Sequence, residues 1–314
     1  MKIALPPVGI QNRYKLISVH PETLEETELT GWFGNKILTT GRNEMAKRNW
    51  FTAVQVGTDS TPPSESNTSM LGYVAGTSNI EESVSGAQAT ADFYGWKRNR
   101  FRFPLGSISV NQNLNEVGIG WDTADGDNLA TRALIVDING DQTTVTWKAD
   151  EYLDVVVEVR YYPPLVDATG TVTINGVVYN YIMRAANVTS SSAWALGIGS
   201  KIESTANGVS DWSVYDDDIG TIEQGPSGVA TASDNDNDYT NAYAENSYQI
   251  TYGMNVGPSG WNSLTGKLLR SLLVKTTAGH YQIQFDNGGN GVPKTDQFTM
   301  TTDFILGWTE RGIT

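Results

Sequence analysis

The densest group of potential ligands in the chain is acidic. Asp234, Asp236 and Asp238 alternate with asparagines, so side-chain oxygens recur at positions 1, 3 and 5 of a loop, and Glu245 falls at position 12. A calcium-binding loop draws carboxylates from those positions. Position 6, where such a loop needs glycine for its sharp turn, is Tyr239, and no helices flank the segment. Three like charges in alternation also repel one another. The expectation is an open, hydrated outer loop with no tightly bound metal. Trp194, Trp212, Asp234, Asp236, Asp238 and Tyr239 then form a candidate exposed contact region.

A second pattern is basic. In residues 93–103, Arg98, Arg100 and Arg102 alternate with Asn99, Phe101 and Phe103, and Lys97 precedes them. A strand sends successive side chains to opposite faces, so the arginines share one face. This is either a solvated strand face or a docking edge for an acidic partner, for which Lys97, Arg98, Arg100 and Arg102 are the candidates.

Other chemistries find less support. Glycoside hydrolysis needs two carboxylates at a set separation. Asp150, Glu151 and Asp154 open a strand, where charged residues cap an edge in any case. The two histidines, His20 and His280, lie apart, and no G-x-S-x-G elbow is present. Gly118-Ile-Gly120 is too short to cradle a phosphate and no P-loop lysine follows it. No catalytic residue, cofactor or metal is assigned.

The elements that would position these groups are strands. Asn139-Gly140 and Asn175-Gly176 each separate runs of β-formers, the pattern of a hairpin turn. Between them, residues 150–162 read as a strand ended by Pro163-Pro164. Residues 133–183 are therefore expected to form a contiguous antiparallel meander in one sheet. Leu153, Val155, Val157 and Val159 should line one face, and Val156, Glu158 and Arg160 the other. Residues 41–50 are the best short helix. The expected fold is all-β: antiparallel β-sandwich domain(s) with one short helix. Its parts are an extended arm (1–11), a β-sandwich containing the meander (12–186), and a second β region (187–314) with a polar, irregular insertion (187–247).

Composition narrows the function. The net charge of −14 argues against a nucleic-acid surface. The absence of cysteine rules out disulfides, Cys-ligated zinc and thiol nucleophiles. No apolar run reaches the ~18 residues of a membrane span, and Pro6-Pro7 interrupts the apolar start that a signal sequence would need. Nine Trp and fourteen Tyr supply large areas for burial or contact.

Three groups of segments carry a resemblance. The first is Trp32-Phe-Gly-Asn-Lys-Ile-Leu-Thr-Thr-Gly41 with Val54-Gln-Val-Gly57-Thr-Asp-Ser-Thr-Pro-Pro63. The second is Arg132-Ala-Leu-Ile-Val-Asp-Ile-Asn-Gly140, Asp150-Glu-Tyr-Leu-Asp-Val and Val159-Arg-Tyr-Tyr-Pro-Pro164. The third is Gln282-Ile-Gln-Phe285, Val292-Pro-Lys294-Thr and Gly307-Trp-Thr-Glu-Arg311. In these the chain resembles tailed-bacteriophage virion proteins of the tail, tail-fibre and baseplate. The resemblance implies a non-enzymatic structural component of a tail tip or baseplate. Such a protein would be assembled in the host cytoplasm and form homo-oligomers, a trimer first among them. It would contact other tail proteins and support fibre attachment or recognition of a host glycan or receptor. The arm 1–11 and the loop 57–69 are then natural docking elements. A capsid-decoration or head–tail protein is the alternative, and a polysaccharide depolymerase a remote one. No family catalytic residue carries over.

Overall fold

The computed structural model describes residues 2–90, 92–202, 211–228, 230–234, 239–240, 242–256, 268–293 and 300–311. Strands account for 52% and helices for 5%, so the chain is all-β, built from several antiparallel sheets. Two helices occur among the described residues, Thr39–Lys47 and the single turn Ser191–Trp194.

The largest sheet runs in the order Tyr239–Thr240, Gln249–Val256, Met300–Glu310, Val8–Val19, Tyr152–Tyr162, Tyr94–Phe103 and Ile80–Gln88. Its centre is Tyr152–Tyr162, which pairs antiparallel with Val8–Val19 on one side and Tyr94–Phe103 on the other. A five-stranded sheet joins Lys36–Ile37, Leu129–Leu134, Glu116–Gly120, Ala53–Gly57 and Tyr73–Thr77. A six-stranded sheet joins Ala168–Ile174, Val177–Ala186, Gly279–Asp286, Ser271–Thr276, Asp211–Tyr215 and Ala230–Asp234.

One apolar core connects the three. Tyr14, Phe101 and Val155 of the first sheet, Val54, Val117 and Ile119 of the second, and Met183, Tyr281 and Ile283 of the third belong to a single buried cluster. Leu153, Val155, Val157, Val159 and Tyr161 all face it, as alternation along the strand requires.

The expected single-sheet meander is not what forms. Residues 129–134 pair within the five-stranded sheet, and 145–147 pair with Gln112–Leu114 in a separate ribbon. Residues 152–162 sit in the large sheet, and the hairpin 168–186 in the six-stranded one. The reason is occupancy. Both edges of Tyr152–Tyr162 are already taken by distant strands, and Pro163-Pro164 offers no N–H to extend a ladder.

The two Asn-Gly turns also differ. Asn175 and Gly176 have φ of 51° and 79°, the mirror-image turn that closes Ile174 on Val177. Around Gly140 only the glycine has positive φ, 87°. There the Asp137 carboxylate accepts the N–H of Asn139 (2.8 Å) and of Asp141 (3.0 Å), and the ladder shrinks to one bridge, Val136 to Gln142. A side chain that satisfies backbone donors locally replaces the hairpin. Gly176→Val should cost about 1–2 kcal/mol, all of it conformational, because nothing lies within 4 Å of an added Cβ. Urea denaturation checks this; an unchanged midpoint would contradict the turn geometry.

Strands from both sides of residue 186 share the large and the six-stranded sheets. The N-terminal arm is extended, but its hydrogen bonds are used within the chain. Lys2–Ala4 pairs in parallel with the Met300–Glu310 strand, and Ile3 and Leu5 are buried.

The loop after Ala53–Gly57 is likewise held down. Glu116 and Arg132, both fully buried, pair at 2.6 Å beneath it. Glu116 also accepts the Gly72 N–H at 2.7 Å, while Arg132 reaches Asn67 (3.3 Å) and Asp59 (3.5 Å). Lys36 and Arg42 hold Glu65 from the other side. Both elements thus make their anchoring contacts within the chain.

A candidate anion-binding cleft

Every second residue of the central strand faces away from the core, and two of these are acids. Asp154 is fully buried and Glu158 nearly so. Register places a row of side chains across each. Asp154 lies opposite Ile17 and Arg102, and Glu158 opposite Arg13 and Arg98. Arg160, two residues along, faces the same way, between Gln11 and Trp96.

The two acids answer different amounts of positive charge. Asp154 binds Arg102 in a two-bond fork, 2.8 Å for each, and also takes Arg100. Arg100 further pairs with Glu26 at 2.8 Å, and Arg102 with Glu81 at 3.5 Å. That end of the stripe is neutralised. Glu158 instead serves three guanidiniums: Arg13 (2.8 Å), Arg98 (2.6 Å) and Arg160 (2.8 Å). Burial pushes the Glu158 carboxyl up, but hydrogen bonds from Arg98 and Arg160 and the nearby charges outweigh it. The group stays below the usual carboxylate range. Arg13 is shifted down, first by burial and then by repulsion from Arg160, against the pull of Glu158. Positive charge is therefore in excess at this end.

An open cleft of about 310 Å³ lies here, lined by Gln11, Arg13, Trp32, Asp92, Tyr94, Arg160, Tyr162 and Arg311 among others. Its guanidiniums are backed by rings. Arg13 lies 4.3 Å from the Trp32 ring centre, Arg160 4.3 Å from that of Tyr94, and Arg311 3.9 Å from that of Tyr162. Tyr94 and Tyr162 pack together at 5.2 Å, and the Tyr162 hydroxyl donates to Gln11 at 2.8 Å. Stacking fixes the plane of each guanidinium, so less side-chain entropy is lost when its N–H edge meets a carboxylate or phosphate. Arg311 makes a long contact of 3.8 Å with Asp92, whose side chain is 81% exposed.

The candidate residues from the sequence are thus redistributed. Arg98 belongs to the cleft cluster through Glu158, and Arg100 and Arg102 belong to the neutralised end. Lys97 lies on the opposite face of its strand, with Asn99 and Phe101, where burial lowers its pKa. The four do not form one free basic edge.

Trp194 and Trp212 are not exposed. Trp194 stacks edge-on against Tyr281 and donates its indole N–H to the Ala186 carbonyl, and Trp212 lies in the core. Large apolar rings between polar loops fill the gap under those loops. Asp234 ends the Ala230–Asp234 strand and Tyr239 begins Tyr239–Thr240, while Asp236 and Asp238 lie outside the described residues. Glu245 pairs with Lys47. Of the strand-opening acids, Glu151 accepts from Ser18 and Lys148, and Asp154 is bound as above. His280 is held neutral, its pKa lowered to about 4 by burial and then by Lys275. Among the described residues, no three His, Asp or Glu side chains converge as a metal site.

The sequence does not show Arg13, Trp32, Tyr94, Arg160, Tyr162 and Arg311 as one group because they come from five separated segments. The usable signal was a lone acid in a run of valines, Val155-Val-Val-Glu158-Val-Arg160, since a buried acid calls for cationic partners.

No family model, no curated protein and no solved structure matches this chain.

Proposed function

We propose that this chain is a non-enzymatic structural component of a bacteriophage tail tip or baseplate. It forms homo-oligomers and presents the arginine–aromatic cleft to an anionic partner, on the host surface or on a neighbouring tail protein. The observation that carries the reading is the cleft: a fixed cluster of cations on a chain whose net charge is −14. Local positive potential of this kind steers an anionic partner that the rest of the surface repels.

The phage assignment rests on the residue resemblance, and the cleft draws residues from the resembling segments. Three of the resembling segments meet there. Trp32 comes from the first, Arg160 and Tyr162 from the Val159-to-Pro164 segment, and Arg311 from the last. The site is also better formed for binding than for acid–base catalysis. Its inner carboxylate, Glu158, is already hydrogen-bonded by three arginines and is poorly placed to move a proton.

The decisive test is the position of the protein in an intact particle. Density at the tail tip with three- or sixfold symmetry is the expected result. Even spacing over the capsid would replace the reading with the capsid-decoration alternative. Light scattering on the purified chain should give the mass of a trimer; a monomer at high concentration would overturn self-assembly of the chain alone. The aromatic residues offer this contact less than their number suggests, since Trp50, Trp147, Trp194, Trp212 and Trp308 are buried within the chain.

A further inference from the structure

We infer that the occupant of the cleft is a carboxylate-bearing sugar, of the uronic-acid type. This rests on the reading of the cleft as an anion-docking site and narrows it to a ligand class.

Three features of the lining together describe an acidic saccharide, and the second and third separate it from a simple anion. First, the cations come as flat guanidiniums stacked on rings, a shape that matches the planar, two-oxygen edge of a carboxylate. Second, Trp32 stands at the rim with 36% of its surface exposed, beyond the ring area that Arg13 and Arg98 cover at 4.3 and 5.2 Å. An exposed indole beside a polar cleft suits the weakly apolar C–H face of a pyranose ring, burying area that an inorganic anion cannot use. Third, the rim carries a carboxylate of its own. Asp92 is 81% exposed and touches Arg311 only at 3.8 Å. A carboxylate is a pure acceptor. It accepts hydrogen bonds from sugar hydroxyls, donors that an acidic peptide side chain does not offer. Cations for one acid group, a ring platform and an acceptor for hydroxyls together describe an acidic sugar.

The cleft volume of about 310 Å³ lies at the lower end of the range for small-ligand pockets, which suits one or two sugar units and leaves a longer chain running into solvent. The carboxylate would meet Arg13 and Arg160, the two guanidiniums anchored from below by Glu158. The ring would then lie toward Trp32.

Calorimetric titration of the full chain with trigalacturonate, maltotriose, triglutamate and inorganic phosphate tests this. Binding of trigalacturonate, with at least about tenfold weaker binding of the other three, is the expected result. Arg13→Gln keeps Glu158 bonded to Arg98 and Arg160, so it should fold, and thermal melting verifies that. Arg13→Gln and Trp32→Ala should each weaken trigalacturonate about tenfold or more, through lost charge and lost platform respectively. If triglutamate or phosphate binds as tightly as trigalacturonate, or if Trp32→Ala binds like wild type, the saccharide assignment is wrong while anion docking stands. If none of the four probes binds, both fall.

Discussion

Replacing Arg132 by methionine should lower the free energy of unfolding by about 3–5 kcal/mol, the largest single-residue effect expected outside the apolar core. The guanidinium is fully buried and lies 2.6 Å from an equally buried Glu116. Methionine fills much of the space but leaves the Glu116 carboxylate with backbone partners only, from Gly72 at 2.7 Å and Leu71 at 3.5 Å. An uncompensated charge in that position is the costly species, more than the lost attraction itself. The loop above should loosen in the same variant, because Asp59 and Asn67 lose the guanidinium they close on. Urea denaturation gives the magnitude, and limited proteolysis of residues 58–72 the local effect. Pairing the change with Glu116→Leu should recover much of the loss, since removing both charges removes the penalty. A loss below about 1 kcal/mol in the single variant would mean that the pair is hydrated and the argument fails.

Glu158→Gln should cost about 2–3 kcal/mol near neutral pH, less than Arg132→Met because its partners can partly return to water. Arg13 and Arg98 have 29% and 37% of their side chains exposed, against 2% for Glu158. The amide cannot balance three guanidiniums, so they repel one another and leave their rings. The pH dependence identifies the mechanism. The folded-state pKa of Glu158 lies below its ordinary value of 4.5, so the unfolded chain takes up this proton first as pH falls. The stabilisation is complete above about pH 4.5 and is lost as pH drops through the folded pKa. Wild type and variant should therefore differ most above that pH and converge below it. Parallel curves across the acid range would show that Glu158 contributes through packing and not through charge.

Much of this is legible in the sequence. Unbroken β-forming runs and abundant turn residues determine an all-β chain, because local backbone preference and alternation act over a few residues. The facing of Leu153 to Val159 followed from period two alone, and Asn175-Gly176 from the positive φ its turn demands. The sequence by itself also determined that the chain is net acidic and that no cysteine chemistry is possible.

Pairing across the chain was decided only by the tertiary structure. Nothing near residue 158 announces that Arg13 and Arg98 will flank it, since sheet register depends on which distant strands bury their apolar faces together. The same physics separated the basic stripe into a neutralised end and a cationic end, a difference of which acid lies opposite. It drew Trp194 and Trp212 inward from polar segments, where burying an indole outweighs the character of its neighbours. It also assembled the cleft from strands and loops near residues 12, 32, 93, 161 and 311, a grouping that exists only once the sheets have closed on their shared core.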